Sequence, residues 1–109
     1  MRAARLVLPV LLMAVHVAPV AIARTLPEVQ AMVESKASGA LSAAEALTRE
    51  TPNDANAWVM LTRARMQARQ SEKAVVSAEK AAALGPKNAQ AFYWLGNAYG
   101  NRIGQVGMI

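Results

Sequence analysis

The chain has 109 residues, with 12 basic and 7 acidic side chains, a single His and no Cys. The absence of Cys excludes a disulfide framework, a zinc finger and a catalytic thiol, and His16, alone near the N-terminus, leaves the rest without a His-based acid/base site. The length suits one small domain, which buries only about 60% of its potential surface.

The first 23 residues are unlike the rest. Arg2 and Arg5 precede an apolar run from Leu6 to Val15, which continues past His16 and Pro19 to Ala21-Ile22-Ala23. A basic start, an apolar middle and a small-x-small end form the layout of an export signal. Residues 1–23 are expected to be a signal peptide cut between Ala23 and Arg24. The competing reading is a retained membrane anchor: Leu6 to Ala23 is 18 residues, at the short edge of a spanning helix, and it contains Pro9, His16 and Pro19. Without Cys there is no site for a lipid at the cut. The expected address is the periplasm or the outside, with the membrane met only during export or through an associated complex.

Without Arg2 and Arg5, ten basic and seven acidic side chains remain, a net charge of +3. No run of five or six Lys/Arg occurs, so the stripe of phosphate contacts that nucleic acid requires is missing and no nucleic-acid partner is expected.

From Arg24 onward the sequence reads as helix. Alanine, the best helix former, supplies 18 of these 86 residues. Breakers fall at Gly39, Thr51-Pro52-Asn53-Asp54 and Gly85-Pro86-Lys87-Asn88, and the spacing predicts helices over 27–37, 39–50, 55–69, 72–84 and 89–101. Residues 24–38 form a lead-in and a weak first helix. Asp54 and Asn88 are placed to cap the helices that follow them. Gly85 is placed to close a helix in the left-handed conformation, and Ser71 and Ser38-Gly39 to open helices.

Pro52 and Pro86 lie 34 residues apart, and the correspondence extends outward. Trp58 matches Phe92, Leu61 matches Leu95, and Ala40, Ala44 and Leu47 match Ala74, Ala78 and Ala81. At residues 26–109 the chain resembles the tetratricopeptide repeat family, whose 34-residue unit is a pair of antiparallel helices. Phe92, Leu95-Gly96 and Tyr99 meet the first-helix pattern in full. The preceding unit has Trp58 and Leu61, but Thr62 stands where a small residue is usual and Arg65 where Tyr is expected. In the first unit Arg24 and Pro27 occupy the aromatic and Leu positions. The resemblance implies an all-α short right-handed solenoid, with a repeat region over 39–109 whose last unit is incomplete. The alanines at 40, 44, 74 and 78 let each second helix lie close on its first. Trp58 and Phe92 are expected to fill the space between hairpins, burying about 150–250 Å² each.

The resemblance also implies a concave groove lined by first-helix residues. In the middle unit these are Asn56, Val59, Arg63, Met66 and Gln67; in the last they are Gln90, Tyr93, Asn97, Gly100 and Asn101. Amides, one charge, an aromatic and flexible apolar groups suit an extended peptide, with Arg63 and Asn97 available to a carboxylate or to backbone carbonyls. The expected function is a protein-interaction scaffold that binds a peptide or protein partner outside the cytoplasm. No cofactor or metal is expected. The alternative is a structural or membrane-complex adaptor with no groove ligand, packing through an open C-terminal end at Ile103, Val106, Met108 and Ile109.

An enzyme is not expected. Glu72 and Glu79 share one helix, whereas a two-carboxylate site draws on two elements. The serines have no His to activate them, and Gly96 to Gly100 lacks the order of a phosphate loop. Lys73, Lys80 and Lys87 mark a wetted side. Gly104 and Gly107 fall where a second helix of the last unit would begin, so the natural chain is expected to carry at least one more Ala-rich helix after Ile109. The 109-residue form is expected to be marginal, loose at its C-terminal end, or self-associated.

Overall fold

A computed structural model describes residues 24–106; the expected signal peptide, residues 1–23, with its expected cut, and Met108 and Ile109 lie outside the described residues. Five helices run in chain order: α1 (Leu26–Glu34), α2 (Ala40–Glu50), α3 (Ala55–Gln67), α4 (Ser71–Leu84) and α5 (Ala89–Val106). No strand occurs among the described residues, and none of their helices is long and apolar enough to cross a membrane.

Each helix packs on the next, α1 also touches α3, and α3 also touches α5. The first helices of the pairs therefore form one layer, α1, α3 and α5, while α2 and α4 form the other and do not meet. This is the packing of a short helical solenoid, in which each hairpin contacts only its neighbours.

Side-chain size explains the close approach. Ala40, Ala44, Ala74 and Ala78 are all buried at the hairpin contacts. Around them Val29, Val33, Leu47, Val59, Met60 and Leu61 form the main core, which α5 joins through Ala91 and the half-buried Trp94. A second, smaller core under α4 and α5 holds Ala74, Val75, Ala78 and Ala98, with Met66, Leu95 and Tyr99 packed against it. Trp58 is half-buried against the main core and donates its indole N–H to the Pro52 carbonyl at 2.8 Å.

Thr62 is fully buried where α3 meets α4. Its hydroxyl lies 2.9 Å from Ser77 Oγ and 2.8 Å from the Trp58 carbonyl, and Ser77 Oγ reaches the Ala74 carbonyl at 3.0 Å. The residue that departs from the small-residue pattern is thus matched by a serine on the facing helix, and neither buried hydroxyl is left without a partner. Arg65, in the position where the pattern has Tyr, donates through Nη1 to the Lys73 carbonyl at 3.0 Å, while its Nε is buried without a partner. Burial lowers its pKa from the ordinary guanidinium range, opposed by the charge of Glu45.

The helix starts divide into capped and uncapped. Asp54 accepts from the Asn56 N–H at 2.9 Å, and Asn88 accepts from Gln90 and Ala91 at 3.0 and 3.2 Å. Thr25 and Glu28 form a reciprocal capping box at α1, and the Thr25 backbone N–H bonded to Glu28 holds that carboxylate below its usual pKa. Ser71 does not open α4 as its type predicts. It is the first helical residue, and its buried hydroxyl bonds to Gln105 Oε1 on α5 instead. Gly39 precedes α2 with no side-chain cap.

Three further expectations are corrected. Gly85 is not left-handed; its φ is −125°. Glycine is required there for space, because a Cβ would lie 2.9 Å from the Cβ atoms of both Ala55 and Asn88. The left-handed helix ends belong to Lys36 and Arg69, with φ of 56° and 62°. The second correction is the length of the last helix, which runs on to Val106 instead of stopping at residue 101. Gly104 weakens a helix without breaking it, and no Pro or Asx turn interrupts 101–106. The third is Phe92, which is 49% exposed and fills no space between hairpins. Nothing among the described residues packs beyond it, whereas Leu95 and Tyr99, on the α4 side of the same helix, are half-buried.

Candidate functional site

The expected groove residues project from the layer of first helices, so α3 and α5 decide what they can do. Met66 on α3 and Tyr93, Gly96, Asn97, Gly100 and Asn101 on α5 border one open depression of about 440 Å³. Four of the expected side chains, Met66, Tyr93, Asn97 and Asn101, are therefore brought together. Tyr93 is 59% exposed there. Asn97 donates its amide N–H to the Tyr93 carbonyl at 2.8 Å, so its own carbonyl oxygen remains free to accept. Asn101 is half-buried, and its Oδ1 has no hydrogen-bond partner. That oxygen is itself buried, so the Asn97 oxygen is the one that borders the apolar wall of Met66 and Tyr93 ready to accept from a peptide N–H group.

The other expected residues are engaged elsewhere. Val59 is buried and offers no surface: α1 packs across that side of α3, and Val59 joins Val29 and Val33 in the core. Asn56 accepts from the Asn88 amide at 2.8 Å, joining the starts of α3 and α5. Gln67 donates to the Val33 carbonyl at 2.8 Å and borders a smaller cleft with Lys36, Leu41 and Ala64. Gln90 accepts from the Trp94 indole at 3.2 Å.

Arg63 lies against an aromatic face. Its guanidinium carbon lies 4.7 Å from the centroid of the Trp94 ring, in the range of a cation–π contact. Trp94 also meets the Tyr93 ring edge-on at 5.1 Å. Tyr93, Trp94 and Arg63 thereby form a continuous aromatic and cationic wall beside the amides. The repeat pattern does not point to Trp94, because it marks Phe92 as the aromatic position. The available signal is helical spacing: Trp94 falls three residues after Ala91 and four before Ala98, and both alanines are fully buried.

Behind this surface Tyr99 donates its hydroxyl to Glu79 Oε2 at 2.8 Å, and Arg102 lies 5.6 Å from its ring centroid. The bond to Glu79 raises the Tyr99 pKa above the ordinary phenol value, aided by burial and by the carboxylate's charge and opposed by Arg102. Arg102 also approaches Glu72 at 3.9 Å, a long, half-exposed pair of small energetic weight. No group of three or more His, Asp or Glu positioned for a metal occurs among the described residues.

No family model matches the chain, and no curated protein or solved structure matches it.

Proposed function

We propose that the chain is a tetratricopeptide-like protein-interaction scaffold that binds a peptide or protein partner along its first-helix layer, outside the cytoplasm, with no catalytic role of its own. The observation that carries this reading is the convergence of Met66, Tyr93, Asn97 and Asn101 from two successive first helices on one open depression. The Asn97 amide oxygen suits a backbone N–H donor of an extended peptide, and Met66 and Tyr93 suit its side chains. Arg63, stacked on Trp94, adds a positive edge at the surface. The basic, apolar and small-x-small order of residues 1–23 supports the address.

The reading is tested by selecting binders from a displayed random-peptide library with the full chain, then measuring each selected peptide against variants. Tyr93→Ala and Asn97→Ala are expected to weaken binding at least tenfold, whereas Val76→Ser, exposed on α4, leaves it unchanged. A library that yields no binder, or binders indifferent to Tyr93 and Asn97, ends the groove reading.

A second reading, an assembly module packing through its C-terminal face, is favoured by one observation. Of the four large apolar side chains that stand exposed among the described residues, Val76, Phe92, Tyr93 and Ile103, three lie on α5.

A further inference from the structure

The two helices that border the depression carry no carboxylate. α3 and α5 contain neither Asp nor Glu, and their charged side chains are Arg63, Arg65 and Arg102. Two of these are engaged: Arg65 donates to the Lys73 carbonyl, and Arg102 approaches Glu72. Among the described residues no other arginine of α3 or α5 donates a hydrogen bond or enters an ion pair, so the N–H groups of Arg63 have no oxygen partner. Asp54, which caps α3, stands about 13 Å from Arg63 along the helix axis and serves the Asn56 N–H instead.

Arg63 is nevertheless held in place. Its guanidinium carbon lies 4.7 Å from the Trp94 ring centroid, and Trp94 in turn meets Tyr93, a wall of the depression. An aromatic face restrains the side chain without pairing its N–H donors with an oxygen. A restrained donor loses less freedom when a ligand arrives, and Arg63 is half-buried, where a charge-assisted bond is stronger than in open water. An unpaired cation held beside an acceptor oxygen and an apolar wall is more than a solvated charge requires.

We propose that the depression takes an extended peptide segment bearing an Asp or Glu side chain, whose carboxylate meets the Arg63 guanidinium. A neighbouring backbone N–H of that segment donates to the Asn97 oxygen, and an apolar side chain lies between Met66 and Tyr93. The inference rests on the groove reading and adds its specificity, which is for an acidic partner.

Charge complementarity selects this occupant. The N–H fork of one guanidinium matches the two oxygens of one carboxylate. A phosphorylated segment is gripped by a cluster of arginines and a polynucleotide by a stripe of cations, whereas Arg63 is the single unpaired arginine on these two helices. A terminal carboxylate is captured by converging backbone N–H groups. Asn97 offers the opposite, an acceptor, because its own amide N–H is taken by the Tyr93 carbonyl. A side-chain carboxylate leaves the N–H groups of the peptide backbone available to that acceptor.

Two displayed random-peptide libraries test this with the full chain, one drawn from every amino acid and the other lacking Asp and Glu. The first is expected to yield binders about tenfold tighter than any from the second. Selected peptides are then made with amidated C-termini, which removes the terminal carboxylate as a source of binding. Replacing the acidic residue of a peptide by its amide should weaken binding about tenfold to the parent chain, and by less than about twofold to Arg63→Gln. Arg63→Lys keeps the charge without the fork and should retain part of the affinity. Arg49→Gln removes the same charge from the exposed side of α2 and should leave binding unchanged. Salt supplies a readout that needs no variant: rising ionic strength should weaken the acidic peptide on the parent chain and leave its amide analogue nearly unaffected. Equal affinities from the two libraries, an acidic residue that matters as much to Arg63→Gln as to the parent, equal losses in Arg49→Gln and Arg63→Gln, or a flat salt response each overturn the inference. Binders that depend on Tyr93 and Asn97 but not on Arg63 overturn it and leave the groove reading standing, whereas no binder from either library ends both.

Discussion

Lys36 and Arg69 hold the left-handed backbone that ends α1 and α3. At each end the next amide reaches back five residues, Ala37 to the Met32 carbonyl and Gln70 to the Arg65 carbonyl, while the left-handed residue itself bonds three residues back. This Schellman closure is usually made by glycine, which escapes the Cβ clash. The clash costs a side-chain residue about 1–2 kcal/mol, and glycine gives back about 0.5–1 kcal/mol in backbone entropy. Arg69→Gly is therefore expected to stabilise the fold by about 0.5–1 kcal/mol, read as a higher urea midpoint at unchanged m-value. The side chain of Arg69 is exposed and makes no hydrogen bond, so nothing offsets the gain. A second residue-scale expectation concerns Tyr99. Its pKa is raised by the bond to Glu79, so the fold favours the neutral phenol. That stabilisation is present below the unfolded value near 10 and is lost as pH rises through the folded value. In an ultraviolet titration Tyr99 should ionise above the ordinary range, and Glu79→Ala should bring it back down.

At the scale of helices, the starts carry more of the order than the ends. Asn88 accepts two amides at the first turn of α5 and donates to Asn56 at the first turn of α3. Asp54 serves only its own helix. Loss of a cap costs about 1 kcal/mol, so Asn88→Ala should cost more than Asp54→Ala, by the worth of the extra amide bond, about 0.5–1.5 kcal/mol. Denaturant unfolding of the two variants side by side measures the difference. The caps at Asp54 and Asn88 were legible because each follows a Pro that cannot continue a helix. The overrun of α5 to Val106 was not, since a glycine lowers helix propensity by about 1 kcal/mol and a long helix absorbs it. The same limit hid the role of Ser71: its type favours a cap, but Gln105, 34 residues away, supplies a different partner.

Over the whole molecule, the 34-residue period carried the all-α fold and the pairing of helices, because it records which small residues face each other. The family resemblance, through the groove positions it implies, also put Met66, Tyr93, Asn97 and Asn101 beside one depression. It could not place Val59 correctly, since burial of that residue depends on α1, whose sequence departs from the repeat. Nor did it foresee that Arg63 stacks on Trp94, which is outside the pattern. The core itself is divided: the larger cluster runs through α1, α2 and α3 and reaches α4 at Ala81 and α5 at Ala91, while the smaller one belongs to α4 and α5 with Met66.

The hydrogen bonds between successive first helices are of two kinds, and the difference bears on how such an array is assembled from parts. Gln67 grips the carbonyl of Val33, an atom that every amino acid carries, so this joint is indifferent to what stands at its acceptor. Asn56 and Asn88 grip each other by their side chains, so that joint holds only between matched residues. One seam is a universal coupling and the other a keyed one. A foreign hairpin of the right shape could be spliced at the first without altering its acceptor, while at the second it must bring its own half of the key.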